Sequence, residues 1–156
     1  MREGETSRRL KAARLVRRFP SLLGRIERGE VHLSALRQLG PYLDEVHNAN
    51  PNLPLVITEF GAEATRPGPV EQPGTYEYQR NFAVDHLRVH ASKRYVAGSI
   101  WWALRDFRVD PTWLGGAPPE WGSPPWHNKS LIEETDARKP VYYDMRKRFR
   151  KTRTLR

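Results

Sequence analysis

Pro54-Leu55-Val56-Ile57-Thr58-Glu59-Phe60-Gly61-Ala62 is a short apolar run that ends in a carboxylate and then a glycine. A strand buried on both faces of a parallel sheet reads as a continuous hydrophobic run, not an alternating one, and Leu55-Val56-Ile57 reads that way. In α/β barrels the chemistry lies at the C-terminal ends of the parallel strands, which is where Glu59 falls. A second run, Tyr95-Val96-Ala97-Gly98-Ser99-Ile100-Trp101-Trp102-Ala103-Leu104, ends in Arg105-Asp106-Phe107. Between the two runs, residues 75–89 carry Tyr78, Phe82 and Val89 among polar residues, the pattern of a helix with one apolar side. Thr75 is placed to cap it. Strand, helix and strand in this order predict two adjacent parallel strands with their polar ends on one rim.

Working outward, residues 42–50 predict a helix with Leu43 and Val46 on one face, and residues 51–54 lead from it into the first strand. Residues 65–75, with three prolines and two glycines, predict a rim loop able to touch a ligand. Residues 110–127 hold five prolines and three Trp and predict an irregular lid. Trp101 and Trp102 must point to opposite faces of their strand, so only one of them can face a ligand. By residue type alone, both would be core.

These motifs resemble the C-terminal end of the catalytic barrel of glycoside hydrolase family 2, the β-galactosidase and β-glucuronidase group. The resemblance covers residues 41–150 and is carried by Ile57-Thr58-Glu59-Phe60-Gly61-Ala62, Gly98-Ser99-Ile100-Trp101-Trp102 with Asp106-Phe107, His127-Asn128-Lys129-Ser130-Leu131-Ile132, and Arg138-Lys139-Pro140. It implies an α/β fold holding the last two strand-helix units of a (β/α)8 barrel. It also implies that Glu59 is the nucleophile of a retaining β-glycosidase, that Trp102 packs on the sugar ring, and that Asp106, Asn128 and Lys129 contact the substrate. Asp106 could instead pair with Arg105 or Arg108. In β-glucuronidases an Asn-x-Lys motif at this place reads the sugar carboxylate, and with Ser130 as the third residue counted from Asn128 the resemblance implies a neutral sugar such as galactose. Lys129 is the cation that could supply the charge instead.

A complete barrel of this kind needs roughly 250 residues, and the sequence has 156. A retaining glycosidase also needs two carboxyl groups about 5–5.5 Å apart. In the resembling family the acid/base follows an asparagine, and no Asn-Glu pair occurs in the sequence. The expectation is therefore an incomplete barrel, inactive alone, with an open sheet edge prone to self-association.

The first forty residues differ in kind. Residues 7–19 alternate basic and apolar positions at helical spacing, Pro20 opens a second helical run that stops at Gly29, and a third short helix is expected at 34–39 before Gly40-Pro41. Arg17-Arg18-Phe19-Pro20 with Gly29-Glu30-Val31-His32-Leu33-Ser34-Ala35-Leu36 resembles a helical region of bacterial HNH endonuclease-type proteins, although their His-Asn-His metal module is absent here. This divides the chain into a basic helical segment, 1–40, and the barrel portion, 41–156, and suggests a chimeric reading frame joined near residues 36–43.

The formal charge of +9 is concentrated at the two ends. Residues 1–40 hold ten Lys/Arg against four Asp/Glu, and residues 138–156 hold nine against Asp144 alone. Such clusters attract phosphate backbones, so a nucleic-acid-binding module is the alternative function; a solvated helix face and basic tail is the plainer reading. The sequence has no cysteine, which excludes disulfides and thiolate chemistry. His86 and His90 lie one helical turn apart without the glutamate of a zinc-binding His-Glu-x-x-His. No metal and no cofactor are expected. With no 18-residue apolar stretch and no apolar leader after Met1, the expected location is cytoplasmic, with no membrane contact.

Overall fold

The computed structural model describes residues 32–113 and 125–152. Along the chain these form α1 (His32–Ala49), β1 (Leu55–Phe60), β2 (Ala64–Arg66), β3 (Gly74–Thr75), α2 (Tyr76–Ser92), β4 (Val96–Trp101), β5 (Phe107–Arg108), β6 (Trp126–His127) and α3 (Pro140–Lys151). The helices expected within residues 1–31, and most of the nuclease-like stretch, lie outside the described residues.

The strand-helix-strand unit is the centre of the fold. β1 and β4 pair in parallel, with Val56 opposite Gly98, Ile57 opposite Ser99 and Phe60 opposite Trp101, and α2 connects them. Thr75 caps α2 as expected: its hydroxyl accepts the Tyr78 N–H at 3.1 Å and donates toward the Pro69 and Gln72 carbonyls at 2.9 Å. One face of the two strands packs on α2 and α3. Phe60, Tyr78, Phe82, Ala83, Trp101, Leu131, Val141 and Met145 form this core. Phe60 and Trp101 meet edge to face at 5.1 Å, and Phe82 stacks on His86 at 3.7 Å, geometries that add to the burial of aromatic surface.

His86 and His90 belong to this core. His86 Nδ1 bonds the Phe82 carbonyl at 3.0 Å, and His90 Nδ1 bonds Ser99 Oγ at 3.0 Å. Among the described residues no cluster of three or more His, Asp or Glu is arranged to hold a metal ion.

The two short helices expected on either side of Gly40-Pro41 are one continuous helix, α1, with Pro41 inside it. A proline removes one helical hydrogen bond and crowds the preceding turn. Here tertiary contacts hold the C-terminal half in place. Leu43 is buried, Lys93 pairs with Asp44 at 2.6 Å, the Tyr95 hydroxyl donates to Asp44 at 2.5 Å, and His47 stacks on Tyr95 at 4.0 Å. The boundary expected between residues 40 and 41 thus falls inside a helix.

The other face of the β1–β4 pair is open. Val56 is 53% and Ile100 55% exposed, and a Cβ built on Gly98 between them would meet nothing. Among the described residues the pair stands as a two-stranded sheet. No described helix is long and apolar enough to cross a membrane.

Candidate active site

Glu59 is the penultimate residue of β1 and is exposed at the C-terminal end of the strand. It opens into a pocket of about 330 Å³. Trp102, immediately after β4, forms one wall with Phe107 and Val109, while Trp113, His127 and Lys129 form the rest. The walls are largely aromatic: Phe107 stacks on His127 at 4.8 Å and meets Trp102 edge to face at 6.0 Å. Trp101 turns to the opposite face and is buried, its indole N–H donating to the Lys129 carbonyl at 2.9 Å. The alternation of the strand thus sends one tryptophan to the core and the next to the pocket.

Gly61 makes this arrangement possible. A Cβ at that position would lie 2.5 Å from the Trp102 carbonyl oxygen, so only a residue without a side chain lets the end of β1 pass the end of β4 this closely.

At the end of β6 and just past it, His127 and Lys129 line the pocket while Asn128 between them is buried and does not. Asn128 ties loops together: its N–H donates to Glu63 Oε2 at 2.7 Å, and its carbonyl accepts from Lys139 Nζ at 2.7 Å and from the Ala64 N–H at 3.2 Å.

Asp106 does not line the pocket either. It is buried and paired with Lys139, whose Nζ lies 2.9 Å and 3.0 Å from its two oxygens. Ser130 donates to Asp106 through its hydroxyl and, at 3.3 Å, through its N–H. Burial nevertheless holds the Asp106 carboxyl above its usual pKa, outweighing the lowering by Lys139. The partner is therefore neither of the arginines considered above. Arg105 reaches Asp136 at 2.5 Å instead. Of the sequence-derived candidates, the structure brings Glu59, Trp102 and Lys129 to one pocket and places Asp106 and Asn128 in the framework behind it.

Three further residues shape the site. Lys139 is 1% exposed and fastens Asp106, Asn128 and, at 3.0 Å, the Ala64 carbonyl. The buried Gln79 of α2 points its amide N–H group at the carbonyls of Ala62, Lys129 and Ser130, at 2.8, 3.2 and 3.3 Å. Glu63 sits beneath His127, and burial pushes its carboxyl up to about 7 while pushing the His127 imidazole down to about 4. Nothing in the spacing of these residues marks them; their roles come from tertiary proximity.

The fold is glycoside-hydrolase-like, and 115 chains of solved structure match it. Among them, a GH2 β-galacturonidase from Eisenbergiella tayi bound to galacturonate superposes with a TM-score of 0.64 at 26% identity, over 75% of this chain and 22% of that one. The same enzyme bound to glycerol matches at 25% identity. A Ruminococcus gnavus β-glucuronidase matches in fold at 21% identity and TM-score 0.63, over 78% of this chain and 20% of that one. The chain thus spans about a fifth of the length of these enzymes. No family model and no curated protein matches the sequence.

Proposed function

We propose that this chain is the nucleophile-bearing portion of a retaining β-glycosidase, with Glu59 as the attacking carboxylate. The observation that carries the reading is the exposed carboxylate of Glu59 at the end of a parallel strand, opening into a small aromatic pocket beside Trp102. Glu59 would attack the anomeric carbon to form a glycosyl-enzyme, which water then releases with retention. Trp102 offers a flat apolar face for the ring. A volume of about 330 Å³ lies at the lower end for small-molecule sites and suits a single sugar residue.

Glu59 is the one carboxylate among the described pocket residues, so the acid/base must come from polypeptide beyond those residues. The open face of β1 and β4 supports this. In a barrel that face is the interior, filled by layers of side chains from other strands. With no Asn-Glu pair in the sequence to supply the family's acid/base, the chain alone is expected to be inactive, and hydrolysis to require the complementary strands.

The pocket favours a uronic acid over the neutral galactose implied by counting from Asn128. Lys129 lines the pocket two residues after His127, which puts a cation where a sugar carboxylate can reach it, and the solved structures with similar folds include galacturonidases and glucuronidases. Labelling with 2-fluoro-glycosyl fluorides tests both points, because such reagents need the nucleophile and sugar contacts but little help from an acid. The galacturonyl or glucuronyl reagent should modify Glu59 faster than the galactosyl reagent, in the chain supplied with the missing strands. Modification of Glu63 or Glu77 instead would overturn the assignment.

A second reading is nucleic-acid binding, favoured by Arg146, Lys147, Arg148, Arg150 and Lys151, all exposed at the end of α3. Cations there also suit the helix dipole without any partner. Retention on DNA that collapses steeply with salt would support binding.

A further inference from the structure

Glu63 lies four residues beyond Glu59 but outside the pocket lining, with a side chain 1% exposed. Its Oε2 accepts the Asn128 N–H at 2.7 Å. Its Oε1 has no hydrogen-bond partner among the described residues and lies 4.0 Å from Nε2 of His127. His127 is itself 6% exposed at the side chain, forms part of the pocket wall, and has an Nδ1 that also lacks a partner. The unpartnered Oε1 of Glu63 thus faces Nε2 of His127 across a gap roughly 1 Å longer than an N–H···O bond, while the His127 atom left without a partner is Nδ1, elsewhere on the ring. Buried groups left in this state are rare enough to need an explanation.

We propose that Glu63 is a positioning residue for the pocket's charge: it shares one proton with His127 while holding the backbone that presents Lys129, so the wall facing the sugar is more positive when that proton is bound. The inference rests on the uronide reading only for its ligand. With the proton present, on Oε1 of Glu63 or on Nε2 of His127, the pair is neutral overall. When the proton leaves to solvent, the pair carries one negative charge beside Lys129 and offsets it. The other charged groups acting on the pair are Lys139, which favours loss of the proton from both partners, and Asp106, which opposes its loss from Glu63. Glu59 shares the pocket with His127. Because burial raises Glu63 to about 7 and lowers His127 to about 4, the change falls near neutrality and mainly on the carboxyl.

The test uses the full chain, with the His127 ring C–H shifts followed by NMR from pH 5 to 9 and galacturonate binding measured at pH 5.5 and 8.5. We expect a His127 inflection near pH 7 that disappears in Glu63→Gln and returns in Glu63→Asp. Galacturonate should bind about five- to tenfold more weakly at the higher pH in the wild type and equally at both in Glu63→Gln. No inflection in the wild type overturns the proposal whether or not the variants fold, as does an inflection that survives in Glu63→Gln. An inflection with pH-independent galacturonate binding overturns the link to the pocket. If galacturonate binds at neither pH while the inflection behaves as expected, the uronide reading fails and the proton-sharing pair stands.

Discussion

At the C-terminal ends of β1 and β4, buried polar groups from three connecting loops are cross-tied by Lys139, Gln79 and Glu63, whereas on the face of the same strands away from α2 Val56 and Ile100 lie more than half exposed. Polar ties close the rim, while among the described residues the face stays open. A pocket rim can therefore be held by polar ties even where the apolar layer beneath it is open.

The sharpest way to break that contrast is to cut the rim. Lys139→Met leaves the Asp106 carboxyl buried without its cation, which should cost about 3–5 kcal/mol. Urea denaturation would measure this, and adding Asp106→Leu should recover part of the loss by removing the stranded charge. A cost below 1 kcal/mol would mean that the rim is not held by this pair.

The next effect is pH-dependent. Glu63 is raised to about 7 from 4.5, so the folded state binds a proton that the unfolded chain releases, and stability from this group falls as pH rises from 4.5 to 7. A shift of that size corresponds to roughly 3 kcal/mol. His90 and His127 act oppositely. Lowered to about 4 by burial, they stay neutral while the unfolded chain protonates, so their contribution is lost as pH falls from 6.5 to 4. Two histidines outweigh Glu63 below pH 6.5, by less at the acid end where the raised Asp106 acts with the glutamate, and Glu63 sets the decline between 6.5 and 7. Thermal or urea unfolding should show a stability maximum near pH 6.5, and Glu63→Gln should remove the decline above it.

Gly61→Ala sharpens the comparison from the backbone. Its methyl group meets the Trp102 carbonyl at 2.5 Å, and overpacking of this kind costs about 1–3 kcal/mol. Trp102 should move with it, read as a change in tryptophan fluorescence and weaker sugar binding. Gly98→Ala, which meets open space, is the control and should leave the pocket unchanged.

The smallest stability effect belongs to the open face. Val56→Lys with Ile100→Lys should alter unfolding free energy by no more than about 0.5 kcal/mol per site. Sedimentation should nonetheless show less self-association than in the wild type. If the wild type is monomeric at micromolar concentration and unfolds sharply, the open face is not the adhesive surface expected of it.

The parts that could be read directly from the sequence are those set by local pattern. The apolar run ending at Glu59, the helix after it and its Thr75 cap follow from hydrophobic periodicity and a single hydroxyl, whereas the partner run expected to reach Leu104 is a strand only as far as Trp101. Pro41 misled because a helix pinned by Asp44, His47 and Leu43 can absorb the loss of one hydrogen bond. Adjacency in the sequence joins Asn128 to Lys129, but the fold buries Asn128 and puts Lys129 beside His127 on the pocket wall. Lys139 stood only in a family motif, and Glu63 and Gln79 carried no signal, since a buried polar tie is defined by residues far apart in the chain.

Gln79 has one more consequence. Its three acceptors belong to the loops after β1 and before α3, yet an amide neither titrates nor carries a charge that salt can screen. Glu63, His127 and Asp106 respond to acidity; this strut does not. The cavity can therefore retune its electrostatic character across several units of acidity while its dimensions stay fixed, like a lock whose polarity changes without recutting the keyway.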